Sequence, residues 1–485
     1  MVISRMTARA GSDNNTFFRA GRKSPWYLVA FGMIGASVSG ISFVSVPGMV
    51  LSGGMTYLQT CMGFIIGYLI VAFVLLPLYY RNDLTSIYTY LRCLGPGAYK
   101  TGASFFLLSK MTGTAAKFFV PCYIITESLV ADMPASVSSA LTGGGGSMLI
   151  PFFLVAVVMT LLIWLYTRRG GIKTLVWTDT LQTACMIVAL ALIIYKVSQT
   201  MDMSVAQAFT SVWHDEHSYI FEFSDWESPR FFWKQFLSGI FIVIVMTGLD
   251  QDMMQKNLTC KSLRDAQKDM CCYGLAFLPV NMLFLMLGIL LVMLCGHSGV
   301  AIPERADSLL TMFAASGQLG TSVLVLFTIG IIAASFSSAD SALTAITTSF
   351  CVDILGMDAS SASQQRNESL RKRIHVVVAI LFVFCVIAFK AFEGGSLIDT
   401  IYTLVSYTYG PLLGLFAYAM MRRDGGSHAS LCGRWVALVC LLSPCICYIL
   451  NVMMPEWTGY HFGYELLMLN GLLTYAGLYI VGKLS

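Results

Sequence analysis

Stretch after stretch of about 20 mostly apolar residues, each long enough to cross a bilayer, runs through the chain and leaves few folds open. The windows fall at 26–50, 55–80, 100–130, 149–167, 174–197, 231–253, 270–295, 318–352, 373–392, 396–421, 434–454 and 462–482. In hydrocarbon every backbone N–H and C=O must find an internal partner, so spans of this length are helices. Composition agrees. Of 485 residues 56% are hydrophobic and 12% charged, with mean hydropathy +0.72, whereas a soluble domain carries about 25% charged residues. The expected fold is an all-α polytopic membrane protein of about 12 transmembrane helices. The third and eighth windows exceed a minimal span and are expected to tilt or overhang. The 14 cysteines lie mostly within apolar runs, in no zinc or disulfide pattern, and read as small hydrophobes. A formal net charge of +4 carries no nucleic-acid signal, and no protein partner beyond the lipid bilayer is indicated. Residues 1–24 hold five Arg/Lys and no apolar core, so no cleaved signal peptide is expected.

Basic residues set the orientation. With the N-terminus cytoplasmic, Arg5, Arg9, Arg19, Arg22 and Lys23 lie inside, as do Arg81, Arg92 and Lys100, then Arg168, Arg169 and Lys173. The same side holds Lys256, Lys261, Arg264 and Lys268, then Arg366, Arg371, Lys372 and Arg373, then Arg422, Arg423, Arg434 and Lys483. The opposite side and its helix ends hold only Lys196, Arg230, Lys234, Arg305 and Lys390. The alternation is unbroken, so both termini are expected in the cytoplasm and the protein in the plasma (inner) membrane. The acidic loop 198–230 then falls outside.

That loop divides the first ten spans five and five: a cytoplasmic segment 1–25, a five-helix repeat 26–197, the external loop 198–230, a second repeat 231–421 and two further helices in 422–485. An odd number of spans per repeat makes the repeats inverted, and broken helices facing one another mark the midplane site of many transporters. The first span is interrupted by GASVSGISFVSVPG, Gly35 to Gly48; its counterpart, the sixth, is weakly broken at Gly239 and Gly248. Close helix packing is the other reading of these glycines.

Within the eighth span, Ala334, Ser337, Ser338 and Ser341 fall at i, i+3, i+4 and i+7, which places them on one helix face. Asp340 stands beside them. A hard cation such as sodium takes oxygen ligands of this kind, and an unwound helix supplies free carbonyls. Alternatively the serines bond back to carbonyls four residues earlier or glue helices together. Asp179, about one turn inside the fifth span, either caps that helix or serves a cation on its way to the cytoplasm. Lys110 and Lys117 share a face of the third span. Lys110 can snorkel; Lys117, nearer mid-span, needs an anion, either a substrate carboxylate or an internal partner in Asp179 or Asp340. No nucleophile–base pair, metal cluster or phosphate loop stands out, and no enzyme activity is expected.

Several ordered motifs resemble the sodium:solute symporter family with its LeuT-type inverted-repeat fold, across nearly the whole chain. FFRAGRKSPWYLVAFGMIGASVSGISFVSVPG resembles the first core helix and the loop before it, LPLYYRNDLTSIYTYL the end of the second, and WTDTLQT the fifth. TGLDQDMMQKNLTCKSLRDAQ is similar to the segment after the sixth helix, SSADSALTAITTSFCVDI to the eighth, and SYTYGPLLGLF to the tenth. The resemblance implies alternating-access symport of a small organic solute with Na+. It implies a sodium site from the carbonyls of Gly35, Val38 and Ala334 and the hydroxyls of Ser337 and Ser338. In members with a second sodium, nearer the cytoplasm, the ligands correspond to Asp179 and Ser341; Asp340 stands where those members have serine. Polar substrate candidates are Ser39, Ser42, Gln59 and Lys117. Val243 and Met246 stand where sugar-transporting members carry Asn and a gating Tyr, which disfavours a hexose. Small hydroxyls in the first helix and a cation in the third resemble sialic-acid members, so an organic anion is expected: sialic acid ahead of a monocarboxylate or pantothenate. The alternatives are a sugar or other neutral solute, or a transporter-like sensor. The family's usual helix before the AGR loop has no apolar counterpart in this sequence.

Overall fold

The structure, a computed structural model, describes residues 17–18, 20–131, 148–314, 317–357, 364–390, 397–423 and 431–484. Most of the expected N-terminal cytoplasmic segment, with Arg5, Arg9 and Arg19, lies outside them. Every named element among the described residues is helical, and β pairing is confined to an isolated bridge between Ser24 and Cys260. Among the described residues nine helices are long and apolar enough to cross a membrane, and up to 11 spans result when each of two bent pairs is counted as one. The 36-residue helix Pro96–Ala131, which carries Lys110 and Lys117, corresponds to the remaining expected span.

The first span is a bent pair. Helix α1 (Trp26–Ser37) and the segment begun by α2 (Gly40–Gly48) meet at 59°. The turn between them, Val38 at φ −78°, ψ 84° and Ser39 at φ −76°, ψ 171°, is the Ser-Val-Ser-Gly run, whose serines and glycine favour local alternatives to helix. α3 (Tyr57–Ile70) continues through a π turn at Val71–Leu75 to Arg81. α4 (Pro96–Ala131), α5 (Leu149–Gly170) and α6 (Ile172–Thr200) complete the first five spans.

The sixth span is broken more sharply than its sequence suggests, directly after Gly248 and not at Gly239. α7 (Val205–Trp213) lies in the loop before it. α8 (Phe232–Val243) runs into a π turn over Ile244–Gly248, and α9 (Gln251–Asn257) sets off at 69°. Leu249 and Asp250 form the corner, and Asp250 caps α9 by accepting the Asp252 N–H at 2.8 Å. Gly239 is no break. A Cβ there would run into the Thr60 carbonyl, and one on Gly63 into the Phe236 carbonyl, so these glycines let α3 and α8 approach closely.

α10 (Leu263–Ser298), α11 (Ser308–Ala314), α12 (Thr321–Ser349), α13 (Gln364–Phe389), α14 (Leu397–Arg423), α15 (Gly433–Thr458) and α16 (Leu466–Leu484) follow. Burial separates centre from rim. The apolar window of α10 is 61% buried, that of α15 only 22%. α6 packs on α1 and α12, α3 on α8 and α10, and α4 on α12 and α14. The two breaks therefore come to lie among α3, α4, α6, α12 and α14. The 198–230 loop folds onto the ends of α2 and α3: Met55 N–H donates to the Tyr219 carbonyl at 3.0 Å.

Candidate functional site

The corner in the first span frees backbone acceptors. Ser39 N–H, which a continuous helix would direct to the Gly35 carbonyl, donates instead to Ser37 O at 3.0 Å, and Val38 N–H closes the last turn on Ile34 O at 2.9 Å. α12 faces this corner. The Ser338 hydroxyl stands 3.4 Å from the Ala36 carbonyl and 3.3 Å from the Ala334 carbonyl. Ala334, Ser338 and the α1 corner thus meet, as the periodicity of the stripe leads one to expect, although Ser338 touches the carbonyl of Ala36 rather than that of Gly35 or Val38. Gly35 instead packs on Thr183 of α6, and a Cβ there would collide with the threonine hydroxyl.

Ser337 turns the other way. Its hydroxyl donates to Asp179 Oδ1 at 2.7 Å. Asp179 lies seven residues inside α6, 1% exposed, and does not cap that helix, whose cap position is Gly171. The other carboxylate oxygen, Oδ2, is 2.8 Å from the ammonium of Lys256 on α9. Lys256 is 2% exposed, so the positive charge that counts as topogenic in the sequence is inside the protein. A buried carboxylate or ammonium alone is strongly destabilising, and this pair neutralises both. Asp340 pairs with neither Lys110 nor Lys117. It accepts from Tyr166 of α5 at 2.5 Å and from Ser341 at 3.1 Å, and it lies close enough to Asp179 and Lys256 to interact electrostatically with both.

A second ionic group sits at the corner of the sixth span. Lys110 does not snorkel. Its ammonium is 3.0 Å from Asp250 Oδ2 and 2.8 Å from Asp252 Oδ2, and Tyr409 of α14 donates to Asp250 at 2.7 Å. Lys256 is 3.8 Å from Asp252 Oδ1, so the two groups join into one chain from α4 through α9 to α6. Sequence reasoning missed Asp250, Asp252 and Lys256 as site residues. The signal was present in LDQDMMQKN: two carboxylates and a lysine four residues on, within a span too apolar to leave them in lipid.

The corners enclose a cavity lined by Ser37, Ser39, Ser42, Tyr68, Lys110, Lys117, Val243, Met246, Asp250, Ser338 and Tyr402. Ser39, Ser42 and Lys117 thus line one space. Lys117 makes no ion pair within 4.0 Å among the described residues. Val243, at the end of α8, and Met246, in the π turn after it, are apolar. Tyr57 and Tyr402 close one wall by a 2.9 Å bond between their hydroxyls, and Tyr68 and Tyr273 another at 2.8 Å. Gln59 is corrected: it lines no part of this cavity. Its amide donates to the Arg230 carbonyl at 3.0 Å and accepts the Glu222 N–H at 3.1 Å, pinning the 198–230 loop to α3. The buried glutamine is spent on backbone groups that would otherwise be unsatisfied.

A broken helix with freed carbonyls beside a cavity is the architecture of an ion-coupled carrier, and the sequence agrees with one family in particular. Residues 121–436 match the model of the sodium:solute symporter family. The chain belongs to that family. It is 22% identical over 436 residues to the sodium/sialic acid symporter NanT of Aliivibrio fischeri, covering 89% of this chain and 83% of that protein. It is also 22% identical over 460 residues to the human sodium/iodide cotransporter, covering 90% and 67%. Among solved structures it is similar to a substrate-bound, outward-open Na+-coupled sialic acid symporter, with TM-score 0.78 at 17% identity, covering 100% of this chain and 95% of that one. The fold is the LeuT-type arrangement, and this multi-pass membrane protein is a transporter that uses sodium as its coupling ion.

Proposed function

We propose that the transported solute is a small organic anion, sialic acid ahead of a monocarboxylate, moved together with sodium. The observation that carries this reading is Lys117: a cation facing the cavity with no ion pair among the described residues, where a carboxylate would complete it. Ser39 and Ser42 add hydroxyls to the same cavity, and Val243 and Met246 of the sixth span offer a sugar ring only apolar side chains. Relatives named for sialic acid and iodide carry anions, which supports the same reading. Sodium is assigned to the α1 corner and α12, through the carbonyls of Gly35, Val38 and Ala334 and the hydroxyls of Ser337 and Ser338. The freed Gly35 carbonyl and the approach of Ser338 support that assignment. Sodium there joins α1 to α12 and orders the cavity beside it. It drives transport because it favours one state over the other. Asp179 lies on the exit side, toward the end carrying the AGR loop, which is assigned to the cytoplasm of a plasma (inner) membrane on the distribution of Arg and Lys.

The test is uptake into proteoliposomes of labelled N-acetylneuraminate, lactate and glucose, with sodium or potassium outside. Anion uptake that requires sodium and is abolished in Lys117→Met is expected. Sodium-dependent glucose uptake with no anion uptake would replace the substrate class, and equal uptake in potassium would remove sodium from the mechanism. A sensor, in contrast, would bind without accumulating solute.

A further inference from the structure

Lys256 is a charged side chain only 2% exposed that the transport reading leaves unused. It comes from α9, beyond the corner of the sixth span, and its ammonium ends 2.8 Å from Asp179 Oδ2. Around that point stand Asp252 at 3.8 Å, Asp340, and the Ser337–Asp179 hydrogen bond. An α6 carboxylate oxygen at 2.8 Å and an α9 carboxylate oxygen at 3.8 Å, with the negative charge of Asp340 on α12 nearby, make this a cation position. Here the cation is part of the chain. We propose that the Lys256 ammonium is a tethered cation filling a second cation position between α6 and α12, so that the protein binds one exchangeable sodium rather than two.

The chemistry favours a resident ammonium over a mobile ion at this point. Sodium accepts lone pairs and donates nothing, whereas an ammonium donates three hydrogen bonds. The Ser337 proton is committed to Asp179 Oδ1, so that carboxylate oxygen is already satisfied and the other is left to the ammonium. Asp179 needs a neutralising charge in a site this buried, and Lys256 supplies it without an ion having to enter. A lysine cannot leave with the solute. It can release Asp179 only if α9 moves, so the pair also latches α9 to α6 at one end of the molecule. The inference rests on the transport reading only for the existence of the first sodium position, at the α1 corner.

The two can be tested apart by measuring 22Na+ bound at saturation to the purified full-length chain in detergent, without any solute. The wild type is expected to hold about one sodium and Lys256→Ala about two, because the freed carboxylate again needs a cation. Asp179→Asn/Lys256→Met, which removes both charges and leaves no uncompensated group, is expected to hold about one. Two sodium ions on the wild type, or one on the wild type and no gain over one on a folded Lys256→Ala, overturns the tethered cation. If Lys256→Ala does not fold, the double variant decides: two ions bound to it overturns the proposal. No sodium on the wild type but one on Lys256→Ala keeps the tethered cation while removing the α1-corner site. No sodium on either removes both.

Discussion

Buried charge survives in this protein because nearly every carboxylate has a donor chosen from another helix. Asp179 has Ser337 and Lys256, Asp250 has Lys110 and Tyr409, and Asp340 has Tyr166. Removing one member strands the other, and breaking a buried pair costs roughly 3–5 kcal/mol. Lys110→Met is therefore expected to lower the melting temperature in detergent by several degrees, and Lys110→Met/Asp252→Asn to recover part of the loss. A thermal scan of the purified variants reads both. Ser338 lies between the carbonyls of Ala36 and Ala334 at the proposed sodium position. One polar contact is worth about 1–2 kcal/mol. Ser338→Ala should thus raise the sodium concentration for half-maximal uptake by roughly 5- to 30-fold, with little change in the maximal rate at saturating sodium. The serines were the most legible site residues, because their spacing is a property of one helix. Lys256 and Gln59 were not: the partners that define them lie 77 and 171 residues away in sequence, and no local pattern announces them.

At the scale of the element, the two bends serve different ends. The α1–α2 corner exposes carbonyls at the proposed sodium position, whereas the α8–α9 corner exposes Asp250 and is held in place by its neighbours. Tyr79 donates to the Gly248 carbonyl at 2.8 Å, Tyr88 to Leu249 at 2.7 Å, and Gln251 bridges Ile87 N–H and the Thr85 carbonyl at 2.9 Å each. A corner that has given up its helical bonds needs such substitutes. Straight stretches depend on contact instead. Gly63 and Gly239 bring α3 and α8 together with no room for a Cβ, and overpacking costs typically 1–3 kcal/mol. Gly239→Ala should destabilise the protein by an amount in that range while leaving sodium affinity in the surviving folded fraction unchanged. Measuring both stability and sodium binding separates this packing role from a hinge, whose mutation would move the affinity too.

For the molecule as a whole, sodium binding should appear as stability. A ligand present at about 100 times its dissociation constant contributes about 2.7 kcal/mol to the folded state. The melting temperature is expected to rise in NaCl relative to KCl at equal ionic strength, and this rise to shrink in Ser338→Ala. Orientation has its own measurement. A single cysteine placed at Trp226 in the 198–230 loop, which is 62% exposed, should react with an impermeant maleimide from outside intact cells; one placed at Lys100 should not.

The sequence by itself determined the class of fold, the break in the first helix and the hydroxyl spacing along α12. Each of these is set by local terms: the apolar length needed to cross hydrocarbon, the helical period of 3.6 residues, and the weak helix preference of a Ser-Val-Ser-Gly run. Tertiary structure alone decided which charges meet. Lys256 reads from its neighbours as a cytoplasmic loop residue and becomes the partner of Asp179 only because α9 turns back through 69° toward α6 and α12. Lys110 is drawn inward, and Lys117 is left for the cavity, by where Asp250 stands at the corner of a different span. Electrostatic pairing acts through space, and space is assigned by packing.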